Sequence, residues 1–294
     1  MPDRSLLFEQ LHELELALQP VISLERQVDW IAQCSNLTSL RWSAGDGPSA
    51  VLEDFILYLA KGAWPNLCEL TLNGFNTTEA QTTQLIEGMQ QVIVFKVFSC
   101  DFGLLSLVAL GSHFLGLEKL DINNSRTTTG SIVPEILASC PQLESLSVGR
   151  VKSQYIVHGQ PWACVRSMKT LRICVILPQS CEDANHHQRD VLKRMSQLIN
   201  LNYLDLTDAC KPRSHVKYLD LRLKKGLGQL ASLKLLMCLV VSSSHQRLEA
   251  KDVEWMTKSW RRLKAVHGSL NPDKNIELNA MLSASGIHYI VKTT

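Results

Sequence analysis

One six-residue pattern, L-x-x-L-x-L with apolar substitutes at the three marked places, recurs from one end of this chain to the other. It reads Leu11-Leu14-Leu16, Leu37-Leu40-Trp42, Leu67-Leu70-Leu72, Val92-Phe95-Val97 and Leu117-Leu120-Ile122. It continues as Leu143-Leu146-Val148, Met168-Leu171-Ile173, Leu201-Leu204-Leu206, Leu233-Leu236-Cys238 and Leu263-Val266-Gly268. The first positions advance by 26, 30, 25, 25, 26, 25, 33, 32 and 30 residues, and four consecutive steps of 25 or 26 require a repeating unit.

A pattern of this kind describes a short strand whose marked residues point into the core while the residues between them point out. One such strand cannot bury its apolar side alone, so successive units stack and share a core. The spacing falls within the roughly 20–29 residues of a leucine-rich repeat. The linking segments read as helices: Ile132, Ile136, Leu137 and Cys140 lie at helical spacing, as do Val191, Leu192, Met195, Leu198 and Ile199. The expected fold is therefore an α/β leucine-rich-repeat solenoid, a horseshoe of about ten strand-helix units with one curved parallel sheet. It forms a single domain over 1–294, with the first repeat near 11–36 and a C-terminal cap near 260–294.

Cys34 and Cys140 each stand three positions before the first strand leucine, in IAQCSNLTSL and LASCPQLESLSV, and Cys100 falls three after Val97. These segments resemble the cysteine-containing repeats of fungal F-box/leucine-rich-repeat proteins, and the chain is also similar to ribonuclease-inhibitor-like arrays. The tail, WRRLKAVHGSLNPD followed by SGIHYI, resembles the closing segment of the fungal arrays. The resemblance implies a substrate-receptor-like protein-binding role, as in ubiquitin ligases, or, alternatively, a regulator that masks or activates an enzyme. The ten residues ahead of Leu11 do not accommodate an F-box, so that element is expected to be absent. The start LLFEQLHELEL lies almost inside a repeat, and a partner or a second copy would cover Leu6, Leu7 and Phe8.

The register puts a central outward row at Glu15, Arg41, Thr71, Lys96, Asp121, Ser147, Arg172, Asp205, Met237 and His267. Glu69, Lys119 and Tyr203 belong to one flanking row, and Phe98 to the other. The partner-binding residues expected on this concave face are Arg41, Glu69, Lys96, Phe98, Lys119, Asp121, Arg172, Tyr203, Asp205 and Met237. The competing account is that Glu15/Arg41, Lys96/Asp121 and Arg172/Asp205 merely neutralise one another, worth about 0–1 kcal/mol per exposed pair. Leu235, Met237 and Leu239 would form an apolar patch if Leu233 opens that strand. An alternative register, opening at Leu230, would bury several of them.

Two connections are longer than the rest. Leu177 to Asp190 contains Cys181, Asp183, His186 and His187, without the spacing of a zinc motif, and reads as a polar loop. Asp208 to Gly226 carries Lys211, Arg213, Lys217, Arg222, Lys224 and Lys225. It reads as a solvated insertion, with contact to phosphate or an acidic partner as the alternative.

The net charge of +2 points neither to nucleic acid nor to an anionic membrane, and no apolar run reaches the length of a membrane span. Nine cysteines without a CxxC pair or a secretory signal fit free thiols in cytoplasm or nucleus. There is no G-x-x-x-x-G-K-[ST], G-x-S-x-G or H-E-x-x-H motif. The expectation is a non-enzyme that needs no cofactor or metal and whose partner is a protein.

Overall fold

The computed structural model describes residues 8, 10–16, 24–43, 49–123, 129–208, 216–241 and 246–290. It divides into two compact units, Met1–Ile132 and Val133–Thr294. In the first unit the strands are β1 (Glu13–Leu16), β2 (Ser39–Ser43), β3 (Glu69–Asn73), β4 (Val94–Val97) and β5 (Lys119–Asp121). The helices between them are α1 (Leu24–Ala32), α2 (Ser49–Ala60), α3 (Glu79–Gly88) and α4 (Leu104–Gly111). All four strand pairings are parallel and in sequence order, with Leu14, Leu40, Leu70, Phe95 and Leu120 in line.

The alternation expected from the pattern is present. Leu40 and Trp42 are fully buried, whereas Arg41 between them is exposed. A knot of rings fills the first unit's core, with Trp42 at 4.6 Å from Phe75 and Phe55 stacked on Trp64 at 4.9 Å. The start of α3 is held by Thr78, whose hydroxyl accepts from the Gln81 amide while the Gln81 side chain accepts from the Thr78 amide. Leu11, Leu14 and Leu16 are only half-buried, in keeping with a strand that has a neighbour on one side only among the described residues.

The second unit begins with α5 (Val133–Ser139) and β6 (Ser145–Lys152), followed by α6 (Ser153–His158) and β7 (Thr170–Leu177). Next come α7 (Cys181–Met195), β8 (Tyr203–Asp205), β9 (Lys217–Tyr218) and β10 (Cys238–Val240). The unit ends with α8 (Ala250–Ser259), β11 (Ala265–His267), α9 (Asn275–Ala284) and β12 (His288–Ile290). The order β6-β7-β8-β10-β11-β12 is parallel throughout. Beyond β11, the expected cap region supplies one further helix and strand. Strands β6 and β7 run for 8 residues each, and β6 carries a bulge between Ser147 and Arg150. The extra length leaves an edge at Ile176 and Leu177, on which β9 folds back antiparallel.

The cysteine slot recurs with other residues. Trp64 and Trp260 also stand three before the first strand leucine, and their indole N–H groups donate to Ile31 O at 2.9 Å and Leu230 O at 3.0 Å. The Cys164 thiol lies one position earlier in its repeat and donates to Leu137 O at 3.6 Å. In each case the acceptor is the carbonyl six residues before the preceding repeat's first strand leucine, so a buried donor ties one turn of chain to the next. Cys34, Cys100 and Cys140 are fully buried, as expected, and none of them is in a disulfide. Burial pushes the Cys140 and Cys164 thiols up to about 12.

Three expectations are corrected. The segment after Leu177 is not a polar loop, because residues from Cys181 onward form α7, a 15-residue helix. Ser180 caps it, acids lie in its first turn and bases in its last, and Ala184, Gln188, Val191, Leu192 and Met195 make its buried stripe. The strand near 236 opens at Leu236, not Leu233 or Leu230, since Leu239 pairs with Leu204 and Cys238 with Tyr203. Leucines at 227, 230, 233, 236 and 239 are all fully buried, and a 3₁₀ segment over Leu227–Ser232 uses their three-residue period. A shift of three therefore leaves the leucine pattern almost unchanged, and the sequence alone does not choose between registers. The apolar patch is corrected with it: Leu239 is buried, Leu235 is half-buried, and only Met237 is exposed.

Candidate functional site

Outward residues of adjacent parallel strands stand side by side, about 4.8 Å apart. In the first unit the central row is Glu15, Arg41, Thr71, Lys96 and Asp121, in register as read from the sequence. Glu69 and Lys119 lie in the flanking row with Ser39 and Val94, and the Ser39 hydroxyl donates to Glu69 Oε2 at 3.2 Å. Arg41 Nη1 approaches Glu15 Oε2 at 4.0 Å with both side chains well exposed. Such a contact contributes about 0–1 kcal/mol, which leaves the Arg41 guanidinium available to another acceptor. Lys96 and Asp121 are register neighbours, and Asp121 Oδ1 accepts from the Asn123 amide at 3.1 Å. Phe98 follows β4 half-buried, its amide donating to Leu72 O.

In the second unit the central row is Ser147, Arg172, Asp205, Val240, His267 and Ile290. Val240 replaces Met237 in that row. Met237 lies three residues earlier, where its carbonyl accepts from the amides of Lys264 and Ala265, so it is exposed beside the site rather than central to it. Tyr203 stands between Thr170 and Cys238 in the flanking row.

The second unit also gathers a compact group. The Arg172 guanidinium lies over the Tyr203 ring at 5.2 Å from its centroid, and its Nε is 3.9 Å from Asp205 Oδ2. Asp205 Oδ1 is held from the other side by the Thr207 amide at 2.9 Å and hydroxyl at 2.6 Å. Burial raises the Tyr203 hydroxyl above its usual range, with the Asp205 charge adding to this and Arg172 opposing it. The phenol therefore stays protonated at neutral pH as a donor. A planar cation, a ring and a fixed carboxylate standing in register offer stacking, charge and hydrogen-bonding groups at one place.

Next to this group is a second one that the repeat pattern does not reveal. Arg150 donates through Nε at 2.8 Å and Nη2 at 2.6 Å to Asp208 Oδ2, which also accepts from the Tyr218 hydroxyl at 3.0 Å. The Asp208 side chain is 2% exposed, so this ion pair pins the insertion to the bulge of β6. No local spacing signals it, because the bulge re-aims Arg150.

Of the basic insertion, Lys211 and Arg213 lie outside the described residues. Arg222 is fastened to Asp220, and Lys224 lies 3.8 Å from Glu249. Lys225 donates to Asn185 Oδ1 at 2.7 Å, and Lys217 to the carbonyl of Gln179. These bases mainly hold the insertion against α7 and α8. Of the metal-capable residues in α7, His186 faces Asp190 at 3.2 Å and His187 faces the Ser153 hydroxyl at 3.0 Å. Among the described residues no three His, Cys, Asp or Glu side chains converge as a metal site would require. No described helix is long and apolar enough to cross a membrane.

The arrangement defines a leucine-rich-repeat α/β fold: parallel strands alternating with helices, an apolar face inward and a polar strand face outward. The sequence matches no family model and no curated protein. Among solved structures, a chain in the crystal structure of the Rad7 and Elc1 complex of yeast has a similar fold, with TM-score 0.50 and 12% identity. The match covers 83% of this chain and 66% of that chain, just under two thirds of the neighbour's length. At that identity the likeness concerns the fold.

Proposed function

We propose that this chain is a non-enzymatic protein-recognition module. Its role is substrate-receptor-like, in the manner of fungal F-box/leucine-rich-repeat proteins, and it works in cytoplasm or nucleus. The binding residues are the outward strand residues of each unit: Arg41, Glu69, Lys96, Phe98, Lys119 and Asp121 in the first, and Arg172, Tyr203 and Asp205 in the second, with Met237 at the edge. The observation that carries the reading is the Arg172–Tyr203–Asp205 group, an exposed guanidinium held in one geometry by a half-buried ring and carboxylate. Arg and Tyr are residue types that dominate interface energies, and ordering them before contact reduces the entropy lost on binding. The yeast neighbour of similar fold is itself found in a protein complex, which supports a protein partner. None of the eight described cysteines is in a disulfide, which fits a reducing compartment.

The test is affinity capture followed by quantitative mass spectrometry with three proteins. These are the wild type, the triple variant Arg41→Glu/Lys96→Glu/Arg172→Glu, and a control with Lys193, Lys224 and Lys258 changed to Glu. A specific partner should be retained by the wild type and the control and lost from the triple variant. Loss from the control alone would move the site to the helices and insertion.

A further inference from the structure

The helix side of the first unit carries a surface that the strand-face reading does not use. A groove of about 610 Å³ runs between α2 and α3, and a smaller one of about 240 Å³ between α1 and α2. Leu57 lines both and forms the ridge between them, 52% exposed although it belongs to a strongly apolar helix. The floor of the larger groove includes Ile56 and Trp64, nearly buried, and Gly88. Gly88 is small for a reason: a Cβ there would meet Leu59 Cγ at 2.7 Å, so the glycine lets α3 settle close against α2. The larger groove is thus an open cleft with an apolar floor and polar walls that include Gln84 and Gln90, within the roughly 300–1,000 Å³ of binding clefts.

Its rim is acidic. Glu53 and Glu87 stand on opposite walls of the larger groove, which no Lys or Arg lines, and Asp29 and Asp54 line the smaller one against the single cation Lys61. All four carboxylates belong to exposed residues, and none is in an ion pair among the described residues. The chain as a whole is slightly basic, at +2, so this local excess of negative charge is a property of the surface and not of the composition. Unpaired carboxylates around an exposed apolar ridge attract cations and repel anions, while the larger groove accepts bulky apolar groups.

We propose that the α1–α2–α3 surface is a docking site for a basic amphipathic helix of a partner protein. Its apolar residues at i, i+3 or i+4 and i+7 pack on Leu57 and enter the larger groove, and its Lys and Arg residues face Glu53 and Glu87 there and Asp29 and Asp54 along the smaller, more polar groove. This site is independent of the strand face and lies entirely within the first unit.

The probe is a fluorescently labelled 14-residue amphipathic helix of Leu and Lys, compared with a Leu/Glu helix of the same pattern. Binding to the full chain is read by anisotropy at low and at physiological salt. The Leu/Lys peptide should saturate, weaken with salt, and lose at least tenfold in affinity with Glu53→Lys/Glu87→Lys and again with Leu57→Ala. A control pair of reversals in the second unit, Glu182→Lys/Glu277→Lys, should leave it unchanged. All five substitution sites are at exposed residues, and circular dichroism checks that each variant keeps its fold. Absence of saturable binding, equal binding of the Leu/Glu peptide, or equal loss in the control would each overturn the proposal. So would a self-association of the chain that Leu57→Ala abolishes, because the surface would then belong to a second copy.

Discussion

The stretch from Leu37 to Leu120 and the stretch from Leu201 to Leu270 satisfy their backbones in different ways. In the first, each strand passes its hydrogen bonds directly to the next. Forked bonds join the amide pairs Cys68/Glu69, Ile93/Val94 and Glu118/Lys119 to the carbonyls of Thr38, Cys68 and Ile93. In the second, the connection after β8 is too long and irregular for that ladder alone, and buried side chains complete it. Gln188 bonds to both backbone groups of Asp220 and to Lys225 O, and Gln246 joins Leu221 N to Leu219 O. Asp252 accepts from Leu223 N and Glu249 N, and Asn271 donates to Leu248 O. A repeat of constant length can rely on its neighbour, whereas an insertion needs dedicated buried amides and carboxylates to avoid orphaned peptide groups.

The largest effect should come from the corrected register. Leu239→Ala should lower stability by about 4 kcal/mol, comparable with Leu70→Ala in the regular stretch, whereas Met237→Ala should change it by less than about 1 kcal/mol. Urea denaturation measures all three, and similar values for Leu239→Ala and Met237→Ala would break the comparison at its base. Next in size is Gln246→Leu, which removes the partner of a buried amide and a buried carbonyl at once. It should cost about 3 kcal/mol by the same measurement. If it proved neutral, the insertion would not depend on the buried amides.

A smaller cost, about 2 kcal/mol, is expected for Arg150→Met, which strips the nearly buried Asp208 of its cation while keeping an unbranched apolar stem. Hydrogen exchange should then quicken at Tyr218 while β2–β4 stay protected; a global rather than local change would contradict the pinning role. The cysteine slot gives an effect confined to high pH. Cys140 and Cys164, raised from an ordinary 9.0 to about 12, keep their protons in the folded chain where the unfolded chain would lose them. Their contribution is fully present below pH 9 and is lost as pH rises through about 12. At pH 8 a thiol reagent should label exposed Cys181 quickly and leave Cys140 and Cys164 untouched until denaturant is added. The smallest effect is that of Glu15→Ala, within about 0.5 kcal/mol, because its contact with Arg41 is exposed.

How much of this could be read from residues alone follows the same division. From Leu37 to Leu120 the leucine positions determine the strand register, since consistent alternation leaves one way to bury them. The outward row from Glu15 to Asp121 follows from it. Around Leu236 a three-residue leucine period made shifted registers equivalent, and the choice depends on β8 and on the Trp260 indole reaching Leu230 O, both long-range contacts. The second half of α7 is legible in the spacing of Val191, Leu192 and Met195, whereas its first half is not, because it is polar and its buried stripe there consists of Ala184 and Gln188. The cap at Ser180, with Glu182 and Asp183 after it, was a usable signal. The Arg150–Asp208 pair and the acidic grooves beside Leu57 join residues from separate elements and have no one-dimensional signature.

The central claim is that the outward strand face, not the helices of the second unit, meets the partner. A photo-crosslinking amino acid placed singly in cells at Ser39, Lys96, Thr170 and Asp205 on the strand face, and at Lys193 and Glu254 on α7 and α8, tests it most directly. The account predicts an adduct with the same protein from strand-face positions and none from Lys193 or Glu254. Adducts from the two helix positions, with none from the strands, would contradict it.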